Sequence, residues 1–341
     1  MLKPQLVVGV TIISAVLAAG CAAPAAPTAP NTAPRVTLTT QKTISLPGVG
    51  GHGDVVVADP NVHAIYIAQS PDNNVIVVDT GTNTVKAVVA HIPSANGIAF
   101  TDSYLFVAEA PAGAVAVIAK SNWQVVATVS SGGKSPDAVY FDSADNSVFV
   151  ANDDSNNMEE ISASAPFAVQ GTLALQPSPA KTGPDLGTYS PAEDRIYQAD
   201  DNDVLAIDAK TRTIQKVIPL PLTGGAAAKD MYFDQAHHLL WIATSGPQAF
   251  ALDPASGTVV DTVKTASGAD QVAGDRERGL LFLGEGKAGV LGVIDLATHR
   301  NIADLKTEPD FHTQDYLPST DLVYAYLNHS NTIAVDKVSI Q

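Results

Sequence analysis

One short apolar pattern recurs along most of the chain and limits what it can fold into. Three copies are Ala64–Gln69 (AIYIAQ), Tyr104–Glu109 (YLFVAE) and Ser147–Asn152 (SVFVAN), and four more begin at residues 195, 239, 280 and 322. Most copies combine an aromatic residue with aliphatic neighbours in a short run, which is typical of a buried strand. The strands that precede these copies begin 40 to 48 residues apart. The chain is therefore a tandem array of seven similar units.

A repeat of this length with four short strands in each unit is the signature of a β-propeller blade. A helical repeat of similar length would instead space its apolar residues at i, i+3 and i+4. We therefore predict an all-β, seven-bladed propeller with four-stranded blades over residues 35–341. The last unit has room for only three strands, and residues 36–46 form a lone strand ahead of the first unit. This strand is expected to complete the last blade and close the ring.

The N-terminal residues indicate a targeting signal and not part of the folded domain. Residues 1–20 hold one charge and an apolar run too short to span a bilayer, as in a signal peptide. Residues 17–21 (LAAGC) resemble a bacterial lipoprotein signal, in which Cys21 becomes the lipidated first residue. The alternative is an ordinary secretory signal with an incidental cysteine. Residues 21–34 are rich in Ala and Pro, which predicts an extended tether.

The lipoprotein resemblance implies a location in the bacterial cell envelope. A lipid on Cys21 would anchor the protein to a membrane, and the residue after it favours the outer membrane facing the periplasm, or an extracellular position. In that setting we expect a monomer whose partner is an envelope protein or a small-molecule ligand.

Composition excludes several classes of function. The 35 acidic and 19 basic residues give a net charge of -16, which argues against binding to a nucleic-acid backbone. The single cysteine excludes a disulfide framework and any multi-thiolate metal centre within one chain. The chain contains no GxSxG, HExxH, Walker or dinucleotide-binding motif. Whether the protein is an enzyme stays open at this point.

Two segments carry a family resemblance. Residues 148–152 (VFVAN) are close to a Tyr-Val-Thr-Asn strand, and residues 134–139 (KSPDAV) resemble the segment that leads into its innermost strand. On these motifs the chain resembles the YVTN-type, YncE-like seven-bladed propellers over residues 40–338. The resemblance implies the fold. It leaves the activity open, because propellers host lactonases, dehydrogenases, peptide binders and scaffolds alike.

Polar residues begin the predicted inner strands and end the second strands, and both sets are expected at one mouth of the central channel. The candidates for ligand or metal binding are Glu109, Asp137, Asn152, Asp185, Asp200, Asp270 and Glu285. Their oxygens suit Ca2+ or another divalent cation, and lactonase-type propellers bind a divalent metal at this type of location. The alternative is structural, because an Asp that begins a strand often caps backbone N–H groups of its own turn.

Two histidines are candidates for chemistry at the same mouth. His52 and His312 precede inner strands of neighbouring blades, where they would face each other as an acid–base pair or as metal ligands. The alternative is a pair of solvated loop residues. Two functions follow: an envelope-anchored binding or scaffold protein for a small ligand or protein partner, and a divalent-metal-dependent, lactonase-like hydrolase.

Overall fold

The computed structural model describes residues 35–175 and 183–341. Within them, 28 strands form seven four-stranded antiparallel sheets, and one 3-10 turn lies at Ala110–Ala112. The predicted seven-bladed propeller is therefore confirmed. The predicted signal peptide (1–20) and the predicted tether (21–34), which includes Cys21, lie outside the described residues.

The strands of the first three blades follow the chain from the channel to the rim. Blade 1 contains β2 (Gly53–Asp59), β3 (Ala64–Gln69), β4 (Asn74–Asp79) and β5 (Thr84–Ala90). Blade 2 contains β6 (Ala95–Phe100), β7 (Tyr104–Glu109), β8 (Ala114–Ala119) and β9 (Gln124–Ser130). Blade 3 contains β10 (Pro136–Asp142), β11 (Ser147–Asn152), β12 (Asn157–Ser162) and β13 (Val169–Ala174).

The next three blades repeat this order. Blade 4 contains β14 (Pro184–Ser190), β15 (Arg195–Asp200), β16 (Asp203–Asp208) and β17 (Thr213–Pro219). Blade 5 contains β18 (Ala228–Asp234), β19 (Leu239–Thr244), β20 (Gln248–Asp253) and β21 (Thr258–Lys264). Blade 6 contains β22 (Ala269–Asp275), β23 (Leu280–Glu285), β24 (Val290–Asp295) and β25 (Arg300–Lys306).

Blade 7 combines both ends of the propeller. Its strands are β26 (Thr313–Leu317), β27 (Leu322–Leu327), β28 (Thr332–Ile340) and β1 (Val36–Ser45). β1 pairs with β28 along its length, from Val36 opposite Ile340 to Ser45 opposite Thr332. The N-terminal strand therefore completes the last blade, as the strand count predicts, and leaves no open seam in the ring.

The burial of each strand follows from its place in the blade. β3 is buried along its whole length because neighbouring blades cover both of its faces. The rim strand β5 instead alternates between exposed and half-buried residues, since its outer edge meets water. The core is accordingly divided into clusters between adjacent blades, such as the one that contains Tyr66 and Leu105. No helix of the described residues is long and apolar enough to cross a membrane.

Candidate functional site

The channel entrance is lined by one residue from each blade. In the first six blades it is the second residue of the inner strand, where a bulge interrupts pairing with the next strand: Gly53 faces Gln69, and the ladder resumes only at Val56 and Ile67. We call this set the entrance ring. It consists of Asp54, Asn96, Asp137, Asp185, Lys229, Asp270 and His312.

The seventh position of the ring differs from the one that repeat spacing alone indicates. Spacing points to Gln314 with Asp315, but Gln314 faces Ala325 just as Val56 faces Ile67, so the residue equivalent to Asp54 is His312. Gln314 is fully buried, and its Nε2 donates a hydrogen bond to the Gln271 carbonyl oxygen (3.0 Å). The bulge shifts the register of the strand pairing, and the spacing of the repeats alone does not reveal this shift.

Lys229 links two carboxylates of the ring. Its Nζ lies 2.6 Å from Asp185 Oδ2 and 3.4 Å from Asp270 Oδ1. Burial opposes the charge of the ammonium, but the two carboxylates outweigh this effect and raise the pKa of Lys229. On the other side of the ring, Asn96 Nδ2 donates a hydrogen bond to Asp137 Oδ1 (3.1 Å).

The two candidate histidines face each other at the entrance. The ring centroids of His52 and His312 are 4.9 Å apart. His52 Nε2 lies 3.7 Å from Asp54 Oδ1, and His312 Nε2 lies 3.9 Å from Asp270 Oδ2. The Asp54 carboxylate raises the pKa of His52 against the opposing effect of burial. This arrangement brings the pair together; its role as an acid–base pair stays a prediction.

The carboxylates of the ring are incompletely neutralised. Burial, followed by repulsion from the other ring carboxylates, raises the pKa of Asp137 well above its usual value. Burial likewise raises the pKa of Asp185 to about 6, although Lys229 counteracts it. The side chains still reach solvent, since Asp185 is 24% and Asp270 is 31% exposed. The ring thus holds four carboxylates and one lysine, which pairs with two of them, in a partly buried place that solvent reaches.

Side chains close the channel below the ring. Gln271 reaches from β22 to β2, where its Nε2 donates to the Val56 carbonyl oxygen (2.7 Å) and its Oε1 accepts from the Val56 N–H (3.1 Å). Asp230 accepts from the N–H groups of Met231 (2.7 Å) and Val272 (2.9 Å). A cavity of about 110 Å³ remains below, and one of about 410 Å³ opens at the entrance beside His52, Lys229 and His312. The entrance is therefore a cup with a polar wall. The side chains of Gln271 and Asp230 at its floor are already hydrogen-bonded.

The candidate residues at the ends of the second strands do not join the ring. Glu109, Asn152, Asp200 and Glu285 are all buried and belong to four different blades. Asn152 Nδ2 donates to the Ser131 carbonyl oxygen (2.7 Å), and Glu285 Oε1 accepts from the Ser267 N–H (2.9 Å). Glu109 borders a separate surface groove beside Trp123. Asn152 and Glu285 thus bond to the backbone of their own surroundings, and Glu109 lies at a different surface from the ring.

Two of these carboxyl groups have raised pKa values. Burial raises the pKa of Asp200 to about 6 and that of Glu285 to about 7. Neither oxygen of Asp200 has a hydrogen-bond partner among the described residues, and neither does Glu285 Oε2. The two groups lie in blades 4 and 6 and do not form one site.

The predicted divalent cation was tested against the arrangement of possible ligands. Within residues 35–175 and 183–341, no group of three or more His, Cys, Asp or Glu side chains is placed to hold a metal ion. As folded, these side chains do not fit a resident Ca2+.

The capping interpretation belongs to the opposite end of the inner strands. In the ring, Asp185 accepts a backbone N–H, that of Leu186 (2.9 Å), whereas no such bond to Asp54, Asp137 or Asp270 is found in the described part of the chain. At the far end, four buried aspartates each accept the N–H two residues later at 2.8 to 3.1 Å: Asp59, Asp142, Asp234 and Asp275. The sequence signal was present, because each of these aspartates ends an inner strand just before a polar turn.

Comparison with known proteins finds relatives by structure alone. No protein-family model matches the chain, and no curated protein matches it. The fold is similar to a chain in the crystal structure of the mitotic checkpoint complex, with a TM-score of 0.77 and 14% identity over 95% of this chain and 98% of that one. It is also similar to hydrazine synthase of Kuenenia stuttgartiensis, with a TM-score of 0.72 and 14% identity over 87% and 97%. The chain is a seven-bladed β-propeller. At this identity the likeness concerns the fold alone, which is compatible with a binding or scaffold role.

Proposed function

We propose that this propeller is a binding protein and that its entrance ring holds a small cationic ligand. The observation that carries the proposal is the incomplete neutralisation of the ring, which holds four carboxylates and one lysine, and the lysine pairs with only two of them. Burial raises the pKa values of Asp54, Asp137 and Asp185, and repulsion from Asp270 adds to this effect for each of them. A bound ammonium or guanidinium group would relieve this repulsion and donate hydrogen bonds to the oxygens.

The shape of the entrance supports a ligand of modest size. The cup of about 410 Å³ lies within the range of about 300–1,000 Å³ that small-molecule sites occupy. The polar groups of Gln271 and Asp230 at the floor are already hydrogen-bonded, so they are not available to bind a ligand. A ligand would therefore stop at the level of the ring, where Asp270 and the two histidines line the cavity, and the other ring carboxylates would act on it through their charge.

We place this binding function in the bacterial envelope, with the propeller held by a lipid on Cys21 and lifted by residues 21–34. The lipoprotein-like LAAGC segment supports this placement. Expression in a Gram-negative host tests it: the native protein should fractionate with membranes, and Cys21→Ser should release it. An unchanged distribution of Cys21→Ser would remove the anchor from the account.

Thermal unfolding with small cations tests the ligand site. Agmatine and choline serve as cationic probes, with glycerol as the neutral control. A ligand at 100 times its Kd stabilises by about 2.7 kcal/mol, which corresponds to several degrees in the unfolding midpoint. We expect a rise with at least one cation, its loss in Asp137→Asn, and its retention in the exposed control Asp145→Asn. No rise with either cation would contradict the proposal.

The hydrolase alternative is kept as a separate arm of the same experiment. The protein is stripped with EDTA and then supplied with Ca2+, Mg2+, Mn2+ or Zn2+. A midpoint that rises with one metal, together with turnover of a lactone that Asp137→Asn abolishes, would favour a metal-dependent hydrolase. Binding of organic cations without a metal effect would favour the binding protein.

A further inference from the structure

At the far end of its inner strand, blade 4 departs from a pattern that blades 1, 3, 5 and 6 share; blades 2 and 7 also lack the aspartate. Four blades place a capping aspartate there, whereas blade 4 has Ser190 at the equivalent position. Ser190 is only 1% exposed, and its hydroxyl has no hydrogen-bond partner among the described residues. An unsatisfied buried hydroxyl costs stability, so its presence calls for a local explanation.

A cavity of about 560 Å³ opens beside Ser190, between the ends of β14 and β18. Its walls are largely aromatic and include Tyr189, Tyr232 and Phe233. The hydroxyl of Tyr189 donates to Asp142 Oδ1 (2.7 Å), which fixes this wall. Because Asp142 and Ser190 end inner strands that begin at the entrance ring, the cavity lies on the opposite face of the propeller from the cup.

Blade 6 supplies a positive charge to this cavity. Arg276 lines it and is exposed, and it forms no ion pair with any residue in the described part of the chain. Of the acidic groups near Tyr232, Asp275 pairs with Arg278 and Asp234 pairs with His237. The Arg276 guanidinium therefore remains available to a ligand.

Gly274 allows the wall beside Arg276 to form. A Cβ at residue 274 would lie 2.0 Å from an atom of the Tyr232 ring, so a larger residue would displace that ring. The equivalent residues of other blades include Phe141, Tyr189 and Phe233. Arg276 also acts on the Tyr232 hydroxyl, where it opposes the rise in pKa that burial causes. Glycine thus places an aromatic face and a cation side by side.

We propose that this cavity binds a small organic anion, namely a carboxylate attached to a ring or another compact apolar body. The Arg276 guanidinium matches a carboxylate in planar, two-point geometry. The free hydroxyl of Ser190 is an additional donor, and serine in place of aspartate removes a charge that would repel an anion. The aromatic walls cover the body of the ligand. This site is independent of the entrance ring and has the opposite charge preference.

Titration calorimetry with benzoate tests the proposal on the native protein and on three variants. Ser190→Asp introduces the residue of blades 1, 3, 5 and 6 and should cap the N–H of Ala192, so it should unfold at the same or a higher urea concentration. The same substitution should weaken benzoate binding about tenfold or more, because it places a carboxylate in the cavity. Arg276→Gln should weaken binding similarly, while Arg300→Gln, which removes another exposed arginine, should leave it unchanged.

Benzylamine, which has the same ring and the opposite charge, is the ligand control and should bind this face no better to the native protein than to Arg276→Gln. Three results would overturn the proposal. They are no benzoate binding up to about 10 mM, equal binding by Arg276→Gln and Arg300→Gln, and undiminished binding by a folded Ser190→Asp.

Discussion

The two ends of the inner strands use the same residue type for different purposes. At the far end, Asp59, Asp142, Asp234 and Asp275 are buried and accept backbone N–H groups of the next turn. At the entrance, Asp54, Asp137 and Asp270 are directed toward other side chains of the ring. The repetition of aspartate therefore does not distinguish structural residues from candidate binding residues. The hydrogen-bond partners of each aspartate, backbone N–H groups or other side chains, make this distinction.

Charge compensation separates the two ends further. Asp59 is fully buried with Lys120, and the Tyr66 hydroxyl donates to it at 2.7 Å. The Lys120 ammonium also lies 4.5 Å from the centre of the Phe100 ring. At the entrance, Lys229 is shared between two carboxylates that solvent still reaches. The buried Asp59 carboxylate at the far end is fully paired, whereas the carboxylates of the entrance ring are not.

The largest expected effect is at the far end. Asp59→Ala leaves the ammonium of Lys120 buried without its partner, which should lower the free energy of unfolding by about 3–5 kcal/mol. Urea unfolding measures this loss. The matched variant at the entrance is Asp137→Ala, which should cost far less.

A double variant separates charge from packing. Asp59→Leu combined with Lys120→Met removes both charges and should recover most of the stability lost in Asp59→Ala. If the double variant were as unstable as the single one, the far end would depend on shape instead of charge.

An intermediate effect is expected from Glu285, whose pKa of about 7 lies above its usual value of 4.5. The folded protein favours the protonated form, so this group stabilises the fold at low pH and loses that contribution as pH rises through 7. Between pH 5 and pH 8 the free energy of unfolding should fall by about 2–3 kcal/mol from this group, at about 1.4 kcal/mol per pKa unit. Glu285→Gln should flatten that slope in urea unfolding, whereas the exposed control Glu277→Gln should keep it. A slope that persists in Glu285→Gln would assign the titration to another group.

The smallest loss of stability is expected in the ring itself. Asp137→Asn removes a carboxylate whose pKa burial and repulsion have raised, so at pH 8 the free energy of unfolding should be no lower than that of the native protein. Chemical unfolding at pH 8 checks this. A loss as large as that of Asp59→Ala would make the ring a structural element and erase the contrast between the two ends.

The number of blades and the closing strand could be predicted from the sequence because both follow from a repeat that each blade must obey to bury its faces. Six ring positions were also predictable, since the first polar residue of each inner strand marks the entrance. His312 was assigned its place in the ring only by the pairing of Gln314 with Ala325. A bulge changes register without changing the spacing of the repeats.

The rest depends on neighbours that are distant in the chain. Glu109 and Asp200 end equivalent strands, but they lie in different blades and do not come together. No metal centre forms among the described residues. The cavity on the far face combines Ser190, Tyr232 and Arg276 from three blades. No local pattern connects these three residues, and only the fold brings them together.

The most direct test of the central claim is a calorimetric titration of agmatine into the native protein and Asp137→Asn, at pH 8 and pH 5. The account predicts binding to the native protein at pH 8, and weaker binding at pH 5 because Asp185, with a pKa of about 6, is then protonated. It also predicts a large loss in Asp137→Asn with stability retained. Absence of binding at pH 8, or equal binding by a folded Asp137→Asn, would contradict the assignment of the entrance ring as a ligand site.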